Sequence, residues 1–390
     1  MSWEKVRLGD VCDVRDGTHN SPKYFESGFP LVTSRNIKDG KIDLIDVNYI
    51  CEADFNEINK RSKVDKGDIL LPMIGTIGNP IILNDEPNFA IKNVCLLKKS
   101  NKILNTFLYY VLISDLFKAN LFDKSKGGTQ KFISLGDIRD FQIPLPPLPI
   151  QKRIAEILDA ADALKRKDQE LLKKYDELAQ AIFIDMFGDP VKNERGIPLS
   201  DLVKINPSKS ELDKNLDTNI KVSFVPMKSV GEEGEFDGSE IKNFSSVSSG
   251  FTYFKENDVL FAKITPCMEN GKGAIAKGLK NEIGFGSTEF HVLRPNEILN
   301  SSFLFHLTKL SNFRIFAELN MSGSAGQKRV PKSFFGKIKI ETNKLNNQIK
   351  FEKAIENLSL SKISVLKQLT SSENLFNSLI QKAFKGELVS

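Results

Sequence analysis

Between Ile150 and Phe187 the chain contains no Gly or Pro, and its apolar residues return at alternating steps of three and four. The series runs Ile154, Ile157, Ala161, Leu164, Leu171, Tyr175, Leu178, Ile182, and only Asp168 breaks it. This is a heptad seam, the pattern of a helix gripping another helix. Thirty-odd residues at 1.5 Å rise make a rod of roughly 50 Å, and such a rod in mid-chain requires a partner. From Gln348 to Phe384 the spacing recurs in Ile355, Leu358, Val365, Leu369, Phe376, Leu379 and Ala383, with Lys362 and Ser372 as polar interruptions. Either segment alone reads as a surface helix with one apolar face. Their matching lengths, each closing a block of similar size, favour a paired rod. In an antiparallel pairing, Asp168 is expected near Lys362, as an ion pair that fixes register.

The blocks before these helices repeat. Val6–Val11 parallels Ile197–Leu202, and Val64–Leu71 parallels Phe254–Phe261. Ile103–Leu108 parallels Ile298 onward, Gln130-Lys131 parallels Gln327-Lys328, and Gln151 parallels Gln348, at offsets of 190 to 197. Within each block, short β-like runs alternate with Gly, Asn and Pro punctuation, and one helical stretch (106–122, 302–319) follows them. The aromatic residues on those stretches read as core. The organisation is therefore α+β: a first domain at 1–149, a helix at 150–187, a second domain at 188–347 and a second helix at 348–390. The prolines of Ile143–Pro149 form a stiff lead-in to the first helix.

Composition narrows the setting. Forty per cent apolar and 27% charged residues describe an ordinary soluble chain. The net charge of +5 permits a polyanionic partner without demanding one. Four scattered cysteines without a C-x-x-C pair argue against a disulfide framework or zinc site and point to a reducing cytoplasm. No apolar run is long enough to cross a membrane.

At this point the chain resembles the specificity subunit of a type I restriction–modification system. The resemblance rests on Leu8-Gly9-Asp10, on Asp16–Tyr24 (DGTHNSPKY), and on Gly67–Leu71 with Gly75–Gly78. It continues through Gly127–Lys131, the proline-to-helix junction Ile143–Ile154 and the tail Ala383–Leu388. In the second repeat, Thr342–Asn347 stands where the first has its proline run. The resemblance implies two target-recognition domains, each reading half of a split double-stranded DNA sequence. It also implies that two long helices join and space them as an antiparallel coiled coil with pseudo-two-fold symmetry. An adenine methyltransferase subunit would dock on those helices, and a restriction subunit would join the larger complex. S-adenosylmethionine, ATP and Mg would belong to the partner subunits, with no cofactor on this chain. Two alternatives remain: the specificity protein of another multi-subunit restriction system, or a coiled-coil protein-binding scaffold without DNA specificity.

An enzyme would have to show its residues. The three histidines, His19, His291 and His306, have no metal-ligand spacing. Asn79-Pro80-Ile81-Ile82 fails as an adenine-methyltransferase loop, and Gly271-Lys272-Gly273 lacks the context of a cofactor turn. The chain is read as non-catalytic and metal-free. DNA reading instead needs Arg and Lys for phosphate or guanine, and Asn and Gln for adenine, on exposed loops. In the first repeat the candidates are Thr18, His19, Asn20, Lys23 and Tyr24, then Arg35 and Asn36, then Lys124, Lys126, Thr129, Gln130 and Lys131. The first two groups read equally as a structural turn and a strand end. In the second repeat they are Lys228, then Lys263, Thr265 and Lys272, then Ser324, Gln327, Lys328 and Arg329.

Overall fold

The computed structural model describes residues 3–38, 40–73, 79–124, 133–213, 215–324 and 326–389. The chain divides into two compact units, 1–169 with 367–390, and 170–366. In the first, Val94–Leu97 and Ile69–Pro72 are buried on both faces, as their unbroken apolar sequences require. They form the centre of an antiparallel sheet ordered Val14–Asp16, Val94–Leu97, Ile69–Pro72, Ile81–Ile82. Alternation along the strands sorts the two faces. Ile69, Leu71, Cys95 and Leu97 join Phe107 and Val111 of the helix Asn105–Ile113. Leu70 and Leu96 join Val32 and Ile91 of a second sheet. In that sheet Phe29–Val32 lies antiparallel to Asn48–Ile50 and parallel to Ala90–Ile91.

The second unit repeats the plan. Val203–Ile205, Phe290–Pro295, Val259–Ala262 and Gly273–Ile275 form the central antiparallel sheet. Lys221–Val225 lies antiparallel to Ile241–Asn243 and parallel to Ile283–Gly286 in the other sheet. That sheet gains a fourth strand, Thr252–Lys255, where the first unit has Ser62–Asp65, the segment leaving the helix Glu52–Ser62. The D-K-G-D and K-E-N-D repeats now have a cause. Gly67 and Asn257 both take positive φ, +90° and +67°, where most residues are strained. The next residue, Asp68 or Asp258, accepts a backbone N–H from Asp65 or Lys255 and pairs with a cation from the central strand's end, Lys98 or Arg294.

The long helices are Leu148–Phe187 and Gln348–Lys385. Each begins with a buried glutamine that ties it to its domain. Gln151 accepts from Leu104 N at 2.8 Å and donates to Pro146 O, while Gln348 accepts from Asn300 N at 2.8 Å and donates to Ile298 O. The helices run antiparallel within each unit. In the first, Asp168 faces Ser372 and Lys165 lies over the Phe376 ring at 4.2 Å. In the second, Asp176 faces Lys362 while Phe183 and Phe187 meet Phe351.

The second helix buries the expected face: Ile355, Val365, Ser372, Phe376 and Ala383 are buried, and Leu358, Lys362, Leu369 and Leu379 are half-buried. The first helix corrects the expected seam. Ile154, Ala161 and Asp168 are buried and Tyr175 and Ile182 half-buried, but Leu164, Leu171 and Leu178 are 41%, 40% and 46% exposed. Ile157, half-buried, likewise gives way to the fully buried Leu158. Lys165, Leu172 and Ala179, each one residue further on, turn inward instead, and Phe183 and Phe187 anchor the end. The leucines keep a seven-residue repeat, yet that repeat runs one position ahead of the buried face. The Asp168–Lys362 pair is also corrected. Asp168, 2% exposed, accepts from Ser372 Oγ and Gln368 Nε2, both at 2.9 Å. Lys362 donates to Asp176 at 2.5 Å and to Glu233 at 2.8 Å. Each charged group finds partners in its own unit, so neither is left unsatisfied.

Candidate nucleic-acid interface

In the first unit the candidate loop is built on the end of the central strand. Gly17 N donates to Val94 O and Thr18 N to Ile91 O, both at 3.0 Å. A Cβ on Gly17 would stand 2.3 Å from Ile91 O, so only glycine permits this approach. Thr18 bridges Lys92, and the Lys92 ammonium reaches Ser21 Oγ at 2.7 Å. His19 is held at both nitrogens, Nδ1 2.7 Å from Asn93 Oδ1 and Nε2 2.7 Å from Asp16 Oδ2. Arg61 pairs with the other oxygen of the buried Asp16. With acceptors on both sides, His19 has its pKa raised, through Asn93 first and then Asp16. Asn20 N returns to Thr18 Oγ1, Lys23 lies 5.6 Å from the Phe25 ring centre, and Tyr24 is 44% exposed.

Arg35 is exposed on the turn Ser34–Asn36, whose Ser34 hydroxyl donates to Asn93 O. Asn36 is not available to DNA, which corrects the sequence reading. It is buried, its Oδ1 accepts from Thr33 N and Oγ1, and its Nδ2 donates to Asp43 O and Asp46 O. The asparagine is consumed by holding its own loop. Lys126, Thr129, Gln130 and Lys131 lie outside the described residues, and Lys124 ends the helix Asp115–Lys124.

In the second unit Lys263, Thr265 and the 321–330 loop come together. Lys263 N donates to Glu289 O and Val330 N to Lys263 O. Thr265 N donates to Lys328 O at 3.1 Å, and its hydroxyl donates to Gly326 O. Ser322 and Arg329 exchange backbone hydrogen bonds, leaving Ser324, Gln327 and Lys328 exposed at the tip. Arg329 is engaged rather than free: Nε and Nη2 grip the Glu289 carboxylate at 2.9 and 2.8 Å. This fork holds Glu289 below its usual pKa and Arg329 above its own. Lys228 is exposed on the turn Met227–Ser229, which follows Lys221–Val225 as Arg35's turn follows Phe29–Val32. Lys272 is half-buried where the strand Val259–Ala262 and its loop meet, with Ala262 N donating to its carbonyl.

Sequence reasoning missed Asn93, Glu289, Arg61 and Arg314. Arg314, 7% exposed, lies beneath the 263–272 loop and donates to Thr308 O, Met268 O and Gly271 O. Burial pushes its pKa down to about 9. Asn93 and Glu289 each immediately precede the central strand of their unit, 196 positions apart, and that offset was the available signal. Among the described residues no group of three or more His, Cys, Asp and Glu is arranged to hold a metal ion. None of the described helices is long and apolar enough to cross a membrane.

A family model described as "Type I restriction modification DNA specificity domain" matches residues 1–174 and again 194–372. The EcoAI type I restriction enzyme specificity subunit of Escherichia coli is 46% identical over 141 residues, which are 35% of this chain and 23% of that protein. The EcoEI specificity subunit of the same species is 45% identical over 143 residues, again 23% of its length. The match thus spans about a quarter of either relative. The StySPI specificity subunit of Salmonella potsdam is 21% identical over 387 residues, covering 92% of this chain and 82% of that one. A solved chain, from a study of complex assembly and conformational transition of the type I R-M system, shares the fold. It has a TM-score of 0.56 at 18% identity and covers 99% of this chain and 98% of that one.

Proposed function

The chain belongs to the type I restriction modification DNA specificity family, and from that premise we propose that it recognises a bipartite double-stranded DNA sequence for partner enzymes. Each unit reads one half of the target. The observation that carries this reading is the shared construction of the two units. Asn93 bonds Thr18, His19 and the Ser34 that precedes Arg35, and Glu289 bonds Arg329 and Lys263, which lies in the loop where Thr265 bonds Lys328. Polar and cationic side chains on loops at the end of a rigid strand suit phosphate and base contacts.

The chain itself performs no chemistry in this reading. Adenine methylation and cleavage fall to methyltransferase and restriction subunits, which bring S-adenosylmethionine, ATP and Mg. The methyltransferase docks on the long helices, where Leu171, Leu178, Leu360 and Ile363 are exposed. Such apolar side chains on one rod suit a partner surface. The test is duplex binding by the purified complex with its methyltransferase, across a salt series, with methylated adenines mapped by sequencing. A bipartite methylated sequence and affinity that falls steeply with salt are expected. Lys328→Glu should weaken binding at every sequence and lower the salt slope by about 1 or more. Binding indifferent to salt and to Lys328→Glu would favour the scaffold reading.

A further inference from the structure

The residues just before the two central strands differ in chemistry while sharing a place in the fold. Each lies where the chain leaves the parallel strand of one sheet and enters a central strand of the unit's antiparallel sheet. Ile91 leads to Asn93 and Val94, and Gly286 leads to Glu289 and Phe290. Each side chain is gripped by a basic residue from a neighbouring candidate loop, Asn93 by His19 and Glu289 by Arg329. The pairs face solvent: the side chains of His19, Arg329 and Glu289 are 62%, 42% and 25% exposed. The two positions carry a neutral amide in one unit and a carboxylate in the other. The supporting frame, by contrast, keeps the same residue type, as at Asp68 and Asp258 or Gln151 and Gln348.

We propose that Asn93 with His19, and Glu289 with Arg329, are equivalent specificity-determining pairs, each selecting one base pair in the half-site read by its unit. This rests on the DNA-recognition reading above. The chemistry assigns the bases. An amide sets an NH2 donor group beside a carbonyl acceptor, the pattern complementary to adenine N7 and N6. His19 occupies one lone pair of Asn93 Oδ1, leaving the second and both amide hydrogens for the base. A carboxylate only accepts, so Glu289 suits the cytosine amino group. Arg329 uses one hydrogen on Nε and one on Nη2 for Glu289 and one on Nη1 for Gln327 O, and its two remaining donors suit the O6 and N7 of the paired guanine. The first half-site should therefore carry an A·T pair at this position and the second a C·G pair.

The experiment starts from the methylated sequence of the wild-type complex and a set of duplexes carrying every single-base substitution of it. Glu289→Gln should reduce discrimination at one position of one half-site by roughly 10- to 100-fold, the range of one good base contact. Every other position and the whole other half-site should be unaffected. Asn93→Asp should do the same in the opposite half. If Glu289→Gln fails to assemble, the exchange Glu289→Asn with Arg329→His carries the first unit's pair into the second, and its discrimination should move toward A·T there. Unchanged base preference, or weakening spread evenly over all positions, would overturn the inference and leave these pairs as loop supports. A wild-type complex with no sequence-selective binding would instead overturn the functional reading beneath it.

Discussion

The two units share a frame and differ in what fills it. At the junction of long helix and domain, the second unit packs Phe183, Phe187, Phe303 and Phe351 on one another, with ring centres 4.8 to 5.5 Å apart. The corresponding positions in the first unit, at offsets of 196 and 197, are Ile380, Phe384, Phe107 and Ile154. Two rings have become aliphatic. The glutamine that ties helix to domain is unchanged, down to the 2.8 Å bond it accepts. Register is fixed differently as well. Asp168 and Val365 correspond, as do Lys165 and Lys362, yet the buried polar lock lies on Asp168 in one unit and the ionic lock on Lys362 in the other. Hydrogen bonds that specify where the chain goes tolerate little exchange, whereas apolar volume can be redistributed.

The largest expected effect separates the two junctions. Phe351→Ala removes a fully buried ring from the aromatic cluster and should cost about 3–5 kcal/mol. Phe351→Ile installs the first unit's residue and should cost less, because the site keeps most of its volume. Hydrogen exchange across 170–366, set against that of 1–169, measures both. Equal losses for Ala and Ile would mean that the ring stacking, rather than filled volume, holds the second junction.

A smaller effect tests the polar lock. Ser372→Ala leaves one oxygen of the buried Asp168 without the Ser372 hydroxyl, while Gln368 still donates to the other, and should cost about 1–3 kcal/mol, the range for stranding a buried polar group. Asp168→Leu with Ser372→Val replaces both partners by apolar groups and should be close to neutral. Thermal unfolding of the two variants checks the ordering. A double variant less stable than Ser372→Ala would show that the carboxylate contributes more than satisfied hydrogen bonds.

How much of this was legible follows from what periodicity can carry. On the second helix Ile355, Val365, Phe376 and Ala383 are buried on the face their spacing marks, while Phe351 and Ile380, outside that series, are buried too and Leu379 only half so. The first was misread by one position, since Leu164, Leu171 and Leu178 keep a seven-residue repeat on an exposed line. Composition gives no sign that Leu158 and Phe183 are the residues the domains cover. In the candidate interface, Thr18, Arg35, Lys263 and Lys328 were found as polar residues on punctuated loops. Their organisers were not, because His19 and Asn93 are 74 positions apart and Arg329 and Glu289 are 40. Asn36 was misjudged for the same reason: only the fold reveals that Asp43 and Asp46 carbonyls saturate its amide.

The smallest effect sharpens the contrast between the two basic pairs, because one of them rests on a histidine that can lose its proton and the other on an arginine that does not. His19 faces Asp16 and Asn93, with Arg61 on the far side of Asp16 opposing its charge. Its folded pKa lies above the ordinary value of 6.5. The contribution of the imidazolium is therefore complete below about pH 6.5, and it is lost as the pH rises through the raised value, when one ring nitrogen stops donating. Arg329 stays charged throughout, so its grip on Glu289 is constant. Amide exchange in residues 17–23, corrected for its intrinsic pH dependence, should thus accelerate modestly as the pH rises through that raised value, while that of 326–330 does not. His19→Lys keeps a cation beside Asp16 and should remove the pH dependence of the first loop. A first loop whose protection is flat from pH 6 to 9 in the wild type would mean that Asp16, Arg61 and the Gly17 and Thr18 backbone bonds hold it without the histidine.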